Sequence, residues 1–544
     1  MAEMINISER IEHEKTRGFW PEKTIEDYFR RQLEQTPHAV AIYEHRADRG
    51  DVENITYAEL DARVANIAAN LARLGVGKGD AVSFQLPNWW EFVAIHMACV
   101  RIGAISNPLM PIFRQRELSF MIANVEARVL IVPESFKNFD HQALGRELLE
   151  EIGCLSHLFV VGGQGDDSFE QCLLAAGEAP SSSIPAKPLS ALEPNDLMQV
   201  LYTSGTTGQP KGVMHTSNTL FSSIVEFSKE IGLNTGDTIF MPSPLAHQTG
   251  FCYGIMMAAY HGGALVITDV WDPVIALELM EKYSVAYTFA ATPFLSDLTN
   301  AQSEQQCNLS GFRMFVTAGA PISPALVVKA REILKTNIMA GWGMTEVGMA
   351  TVTPRDGARI EDSDGKAIAG SEVRVIDENG ALSTYGVEGR LQYRGSVCCI
   401  GYYKRPDLQA VDEDGWLETG DNAFQDEKGF IRITGRSKDI IIRGGENIPV
   451  VEVENLVLGM KEVSEAALVA MPDKRLNEKG CLFISLSGTQ KLELEQVCSH
   501  LTEHNLTRQY LPERLEIIGD FPRTPSGKIQ KFELRERARS FEEK

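Results

Sequence analysis

Tyr202-Thr203-Ser204-Gly205-Thr206-Thr207-Gly208-Gln209-Pro210-Lys211-Gly212 decides how this chain is read. The apolar run at 198–203 has the character of a buried strand, and it opens into a loop of hydroxyl residues, glycines and one lysine. Glycines let backbone N–H groups approach an anion, hydroxyls donate further hydrogen bonds, and the lysine adds a point charge. That is the chemistry of polyphosphate binding. The stretch does not fit G-x-x-x-x-G-K-[ST], because Pro210 stands five residues after Gly205 and Gly212 follows Lys211. A Walker-type NTPase is therefore disfavoured. An ordinary Ser/Thr/Gly turn is the plain alternative, but eight of the eleven residues are Thr, Ser, Gly or Lys and follow a strand directly.

Outward from this loop, helical and strand patterns alternate. Thr56-Tyr57-Ala58-Glu59 reads as a capping box, followed by Leu60, Val64, Ile67, Leu71 and Leu74 at helical spacing, with Gly75 placed to stop the helix. Asp272-Pro273 and Ser323-Pro324 each set an N-cap before a proline. A second buried strand is expected at 312–317. Alternation of this kind over ~400 residues indicates layered α/β architecture. From about 385 the chain turns β-rich, with strands expected at 390–394 and 430–434 around the turn Asp426-Glu427-Lys428-Gly429. After Gly435-Arg436-Ser437-Lys438-Asp439, a small α+β domain is expected.

The chain has 544 residues, enough for about three or four units of ordinary size. With 74 acidic residues against 52 basic ones, its net charge of −22 argues against general affinity for nucleic acid or anionic lipid. Nine cysteines, none spaced C-x-x-C, suit reduced thiols in a cytoplasmic protein better than disulfides or a metal site. The N-terminus lacks the apolar core of a signal peptide. The most apolar stretch, 253–268, is interrupted by His261-Gly262-Gly263 and falls short of the ~20 residues of a membrane span.

From about Thr24 to Lys531 the chain resembles the adenylate-forming superfamily of acyl-CoA synthetases, luciferases and peptide-synthetase adenylation domains, whose motifs recur here in the family's order. The resemblance implies a large N-terminal domain of layered mixed sheets and helices with a β-rich subdomain (1–435). A small mobile α+β lid (436–544) would follow, hinged near Lys438. It implies a two-step reaction: a carboxylate attacks the α-phosphate of ATP to give acyl-AMP and pyrophosphate, then a thiol takes the acyl group and AMP leaves.

By the same resemblance, Thr203, Ser204, Gly205, Thr206, Thr207, Gly208 and Lys211 hold the β- and γ-phosphates. Gly319, Ala320 and Pro321, after Ala318, lie along the adenine. In Gly341-Trp342-Gly343-Met344-Thr345-Glu346 the aromatic ring stacks on adenine, Thr345 touches the α-phosphate, and Glu346, with Thr206, ligates Mg²⁺. Mg²⁺ takes few carboxylates and otherwise binds phosphate and water, so one glutamate suits it. Trp342 replaces the family's usual tyrosine, and Arg390 stands where a glutamate is common, for which only a local change is expected. Asp421 accepts from the ribose hydroxyls and Arg436 contacts ribose or phosphate. Taken singly, these would read as a turn residue and a solvated charge.

Lys528, in Pro522-Arg523-Thr524-Pro525-Ser526-Gly527-Lys528, matches the lysine that stabilises charge on the α-phosphate during attack. Rotation about Lys438 would replace it with the Arg443-Gly444-Gly445-Glu446 loop, whose paired Gly444 and Gly445 leave room for a pantetheine arm. A simple β-turn is the alternative there.

Pro244-Leu245-Ala246-His247-Gln248-Thr249-Gly250-Phe251 occupies the region that opens the acyl pocket, and it lacks the aspartate with which amino-acid-activating relatives pair the substrate amine. His247 stands near the carboxylate position, either to orient the acid or as a hydrogen-bonded structural histidine. Phe251, Tyr253, Gly254 and Met257 would line an apolar pocket or pack as core. Asn107-Pro108-Leu109-Met110-Pro111 and Arg443-Gly444-Gly445-Glu446-Asn447-Ile448 resemble stretches of short- and medium-chain fatty acid and cyclohexanecarboxylate CoA ligases. The expectation is an ATP-, Mg²⁺- and CoA-dependent ligase of an apolar acid. Its rivals are an enzyme loading a carrier protein, a non-catalytic nucleotide-binding regulator and a luciferase-like oxygenase.

Overall fold

The computed structural model describes residues 8–176, 190–203, 210–319, 322, 324–408, 411–436, 441–443, 446–473, 476–488, 491–504, 506, 508–523 and 529–543. The capping box at Thr56 is realised. Its hydroxyl accepts from the Glu59 N–H, the Glu59 carboxylate returns to the Thr56 N–H at 2.8 Å, and helix Tyr57–Arg73 follows. A cap of this kind stabilises a helix by about 1 kcal/mol. Leu60, Val64, Ile67 and Leu71 form its buried stripe. Asp272 likewise caps helix Pro273–Lys282. Helix Pro324–Leu334 starts at the expected proline, while Ser323 lies outside the described residues.

Two sheets dominate. In the nine-stranded sheet, Val40–His45, Leu265–Thr268, Ile239–Met241, Tyr287–Phe289, Met314–Ala318 and Asn337–Met344 run parallel, with antiparallel strands at either edge. The six-stranded sheet runs Lys211–Thr216, Leu197–Thr203, Ile105–Pro108, Ala81–Phe84, Val129–Pro133, His157–Val161, and only its first pair is antiparallel. One core joins them. Met241, Tyr287, Phe289 and Val316 from the larger sheet pack with Phe84, Val129 and Ile131 from the smaller one around helices Tyr57–Arg73, Trp90–Ile102 and Ser217–Ile231. Helix Trp90–Ile102 is buried on every face, as a helix between two sheets must be. Further helices cover the outer faces, giving alternating layers of helix and sheet.

The expected strand at 312–317 begins two residues later, at Met314, because Phe312 closes a turn onto the Leu309 carbonyl. The β-rich part begins at Ser371 rather than near 385. It is a four-stranded antiparallel sheet of Ser371–Ile376, Gly389–Gly395, Leu417–Gln425 and Ile431–Arg436, packed against Trp342, Val347 and Ala350. From Ile441 onward the strands belong to a separate sheet, in which Val463–Asp473 pairs with Asn477–Leu486 and helices Val450–Leu458 and Leu494–Glu503 share a core of their own. Among the described residues, no helix is long and apolar enough to cross a membrane.

Candidate active site

The glycine- and hydroxyl-rich stretch is flanked by two paired strands. Leu197–Thr203 and Lys211–Thr216 pair antiparallel with Thr203 opposite Lys211. Gly212 is required in this pairing, since a Cβ there would lie 2.8 Å from Val200 Cγ1. Ser204, Gly205, Thr206, Thr207 and Gly208 lie outside the described residues. Residues 400–403 add to the free edge of this pair: Ile400 N–H reaches the Met214 carbonyl at 3.0 Å and Tyr403 N–H the Gly212 carbonyl at 2.7 Å. That addition sets the Tyr402 ring 5.2 Å from the Lys211 ammonium, and the Tyr402 hydroxyl donates to Glu346 Oε1 at 3.0 Å. Burial, then the Glu346 charge, push the Tyr402 phenol far up, so it stays protonated and acts as a donor.

Glu346 sits at the tip of a hairpin, between Asn337–Met344 and Gly348–Val352. Side chains at Gly341 or Gly343 would collide with this partner strand, Cβ atoms falling 2.4 Å from the Thr351 carbonyl oxygen and 2.0 Å from that of Gly348. Gly348 closes the tip with φ of +56°, the left-handed region. The tip is held from behind. His215 Nε2–H donates to the Thr345 carbonyl at 2.8 Å, and its Nδ1 lies 3.0 Å from the Thr219 hydroxyl. Burial pushes the His215 imidazole down to about 4, so it is neutral near pH 7, with Nε2 as donor and Nδ1 as acceptor. The Glu346 carbonyl accepts from Cys399 N–H at 2.7 Å.

Of the remaining predicted nucleotide contacts, those described are Gly319, Trp342, Asp421 and the backbone of Arg436. Ala318 neighbours Gly341 in register, and Gly319 follows it with φ of +84°. Ala320 and Pro321 lie outside the described residues. Trp342 donates its indole N–H to Asp421 Oδ2 at 2.7 Å, and both residues are 7% exposed. Arg436 stands opposite Asp421 across a strand pair. Arg390, the departure from the family pattern, pairs with Glu418 at 2.7 Å on the surface, where such a bridge contributes little. Lys438, Gly444, Gly445 and Lys528 lie outside the described residues.

His247 caps the short helix Gln248–Gly250, its Nδ1 accepting from Thr249 N–H at 3.2 Å. The expected helical lining that follows is a π-helical turn, Phe251–Met256. Gly254 lets it approach the sheet, where a Cβ would lie 2.7 Å from Met241 Cγ. Phe251 and Met257 are fully buried in the main core. Tyr253 spends its hydroxyl on Ser223, at 2.8 Å, and on the Met349 N–H, at 2.6 Å. Gln248 is buried, and neither of its amide atoms has a partner among the described residues.

As a Mg²⁺ site, the donor set fits. Among the described residues, no group of three or more His, Cys, Asp or Glu could cage a metal. One buried glutamate, bonded to a tyrosine that lies beside Lys211, suits a cation that takes few carboxylates and most of its ligands from phosphate and water. His215, Thr219, Tyr402 and Cys399 were not legible as site residues. Each acts through a contact between distant segments, and none belongs to a motif.

Lys211 lies opposite the carboxyl end of strand Leu197–Thr203 and Glu346 just past that of Asn337–Met344, the ends of parallel strands at which open α/β sheets bind ligands, while the Trp342 indole reaches buried Asp421 of the four-stranded antiparallel sheet. A family model described as AMP-binding enzyme matches residues 29–403, and one described as AMP-binding enzyme C-terminal domain matches 452–528. The chain belongs to the AMP-binding enzyme family. It is 33% identical over 526 residues to the medium-chain fatty-acid–CoA ligase of Escherichia coli (strain K12), covering 96% of this chain and 91% of that protein. It is 31% identical over 529 residues to a salicylyl-CoA synthase / salicylate adenylyltransferase of Streptomyces, covering 95% and 94%. ATP-bound MatB from Rhodopseudomonas palustris superposes with a TM-score of 0.83 at 25% identity, covering 95% of this chain and all of that one. As an AMP-binding enzyme, the chain is an acid–CoA ligase of the adenylate-forming kind, and ATP, Mg²⁺ and CoA are the cofactors and co-substrates of its family.

Proposed function

We propose that this AMP-binding enzyme activates an apolar acid, a short- or medium-chain fatty or alicyclic one, as acyl-AMP and passes it to free CoA. The observation that carries the reading is the joint placement of Lys211, Tyr402 and Glu346 with Trp342 and Asp421, one set suited to phosphates and the other to a nucleoside. Thr203, Lys211 and the intervening loop grip the β- and γ-phosphates. Asp421 accepts from the ribose while Trp342 stacks on adenine. Thr345, its carbonyl fixed by His215, presents its side chain to the α-phosphate. Glu346 and Thr206 hold Mg²⁺, which when bound neutralises phosphate charge and aligns pyrophosphate as leaving group.

His247 orients the acid so that a carboxylate oxygen attacks the α-phosphorus. Lys528 stabilises the negative charge that builds there. The domain boundary near 435/436 and the hinge at Lys438 then let the small C-terminal domain turn. That motion withdraws Lys528 and brings Gly444 and Gly445 to the acyl carbon, where the CoA sulfur displaces AMP. A cytoplasmic location follows from the same reading.

Support for an apolar acid comes from the 243–257 segment, which has no aspartate and commits the Tyr253 hydroxyl to protein partners. One observation favours a second reading. The buried amide of Gln248, beside His247 and without a partner among the described residues, could instead meet a hydroxyl on an aryl acid such as salicylate, the acid named for one relative. AMP release with octanoate, cyclohexanecarboxylate, benzoate and salicylate, each with CoA or a carrier protein, separates the readings. An apolar acid is supported if octanoate or cyclohexanecarboxylate gives the highest kcat/KM and Gln248→Leu preserves it. Preference for salicylate, lost in Gln248→Leu, overturns it.

A further inference from the structure

Residues 8–20 precede the part of the chain matched by the family model, yet they fold back onto the loop that leads to Tyr402. Helix Ser8–Arg17 carries the Arg10 guanidinium into a ring of carbonyl oxygens. Its Nη1 donates to Cys399 at 3.2 Å, and its Nη2 lies 3.3 Å from Gly395, 3.1 Å from Ser396 and 2.5 Å from Cys398. Trp20, 3% exposed, donates its indole N–H to the same Ser396 carbonyl at 2.9 Å, and its ring lies 5.5 Å from the Arg10 guanidinium. The Ser396 hydroxyl is bonded in turn to that of Ser222 at 2.6 Å.

Several carbonyls converging on one point repel each other unless a cation sits among them, and the guanidinium, with five N–H donors in a fixed fork, suits that place. The loop so gathered acts directly on the candidate metal site. Cys399 N–H holds the Glu346 carbonyl at 2.7 Å, and Tyr402, three residues on, holds the Glu346 carboxylate at 3.0 Å. The Arg10 charge also reaches the other support of the tip: burial does most to push the His215 imidazole down, and Arg10 adds to it.

We infer that residues 8–20 form a strap that positions the metal-binding carboxylate, and that Arg10 is its positioning residue, acting on Glu346 through the 395–402 loop. The inference rests on the reading of Glu346 as a Mg²⁺ ligand. The Arg10 contacts that carry this role are those with the loop carbonyls of Gly395, Ser396, Cys398 and Cys399.

The test titrates Mn²⁺, as a spectroscopic stand-in for Mg²⁺, into the full-length enzyme with ATP and no acid, following the metal by electron paramagnetic resonance. ATP affinity in EDTA and thermal melting are measured alongside. Loss of an outer-shell partner typically costs about 10–100-fold in metal affinity. Glu346→Gln should therefore raise the half-saturating Mn²⁺ by at least that range, and Arg10→Met, one step further out, by roughly 3–10-fold. Metal-free ATP affinity should change less than about twofold. Arg10→Lys, which keeps the charge but not the fork, should fall between Met and wild type. If Arg10→Met does not fold, Arg10→Lys decides alone by the same shift. A folded Arg10 variant with the wild-type Mn²⁺ midpoint overturns the strap, whatever its melting temperature. An unchanged midpoint in Glu346→Gln refutes the metal reading itself, and the strap with it.

Discussion

Trp342→Phe isolates the contact that most distinguishes the proposed nucleoside site, the indole N–H donated to Asp421 Oδ2 at 2.7 Å. Phenylalanine keeps an aromatic face for adenine and removes the donor. Trp342 and Asp421 are each 7% exposed, so water cannot readily replace the lost bond. A hydrogen bond to a charged group contributes about 1.5–3 kcal/mol, which at ~1.36 kcal/mol per decade corresponds to roughly 10–150-fold. That loss is expected in kcat/KM for ATP, read by acid-dependent ATP–pyrophosphate exchange. The contribution through Asp421 is separated from lost packing by repeating the assay with 3′-deoxy-ATP, which lacks one hydroxyl that Asp421 is proposed to accept. If the indole works by orienting Asp421, the variant loses less with 3′-deoxy-ATP than with ATP, because the two changes act on one contact. Equal losses with both nucleotides would refute the reasoning and leave Trp342 as a stacking ring alone.

Lys528→Ala should lower pyrophosphate exchange by about 10²–10³-fold or more while still converting supplied acyl-AMP to thioester, and Gly445→Trp should do the reverse; the two half-reactions assayed separately give the answer. His215→Leu strips the donor from the part-buried Thr345 carbonyl, a change of about 0.5–1.5 kcal/mol, and should depress kcat for exchange more than it raises KM for the acid, with partial recovery in His215→Asn. Glu44 and Glu91 share the Arg46 guanidinium in a buried cluster, at 2.7 and 2.5 Å. Burial, then the Glu91 charge, hold the Glu44 carboxyl up at about 7 against a usual 4.5. In that window the folded protein retains a proton that the unfolded chain has lost, so this group's contribution to stability falls as pH rises from 4.5 towards about 7. Glu91→Gln removes the repulsion, so denaturation at pH 5.5 and 7.5 should show its stability relative to wild type increasing with pH.

Much of the fold is legible where local chemistry decides it. The Thr56–Glu59 box and the Asp272 cap act within one turn, and both helices start where those residues place them. The strand ending at Thr203 is legible because its apolar run breaks directly into a polar, glycine-rich stretch, whereas the return strand Lys211–Thr216 paired with it is not among the sequence expectations. Contacts across the chain are another matter. Sequence separations of 130 from His215 to Thr345 and of 56 from Glu346 to Tyr402 leave no periodicity or spacing to read. The same holds for the Phe251–Met256 turn. Its apolar spacing suits an α-helix, whereas the structure has a π-helical turn in which Gly254 lies close to Met241, a contact visible only once the sheet is in place.

The central claim is that one pocket joins an acid to AMP before a thiol receives it. The most direct test is to incubate the full-length enzyme with ATP, Mg²⁺, an accepted acid and CoA, and to identify the nucleotide product by chromatography. AMP and pyrophosphate, formed one for one with acyl-CoA, are the predicted result. ADP and phosphate in their place would contradict the account.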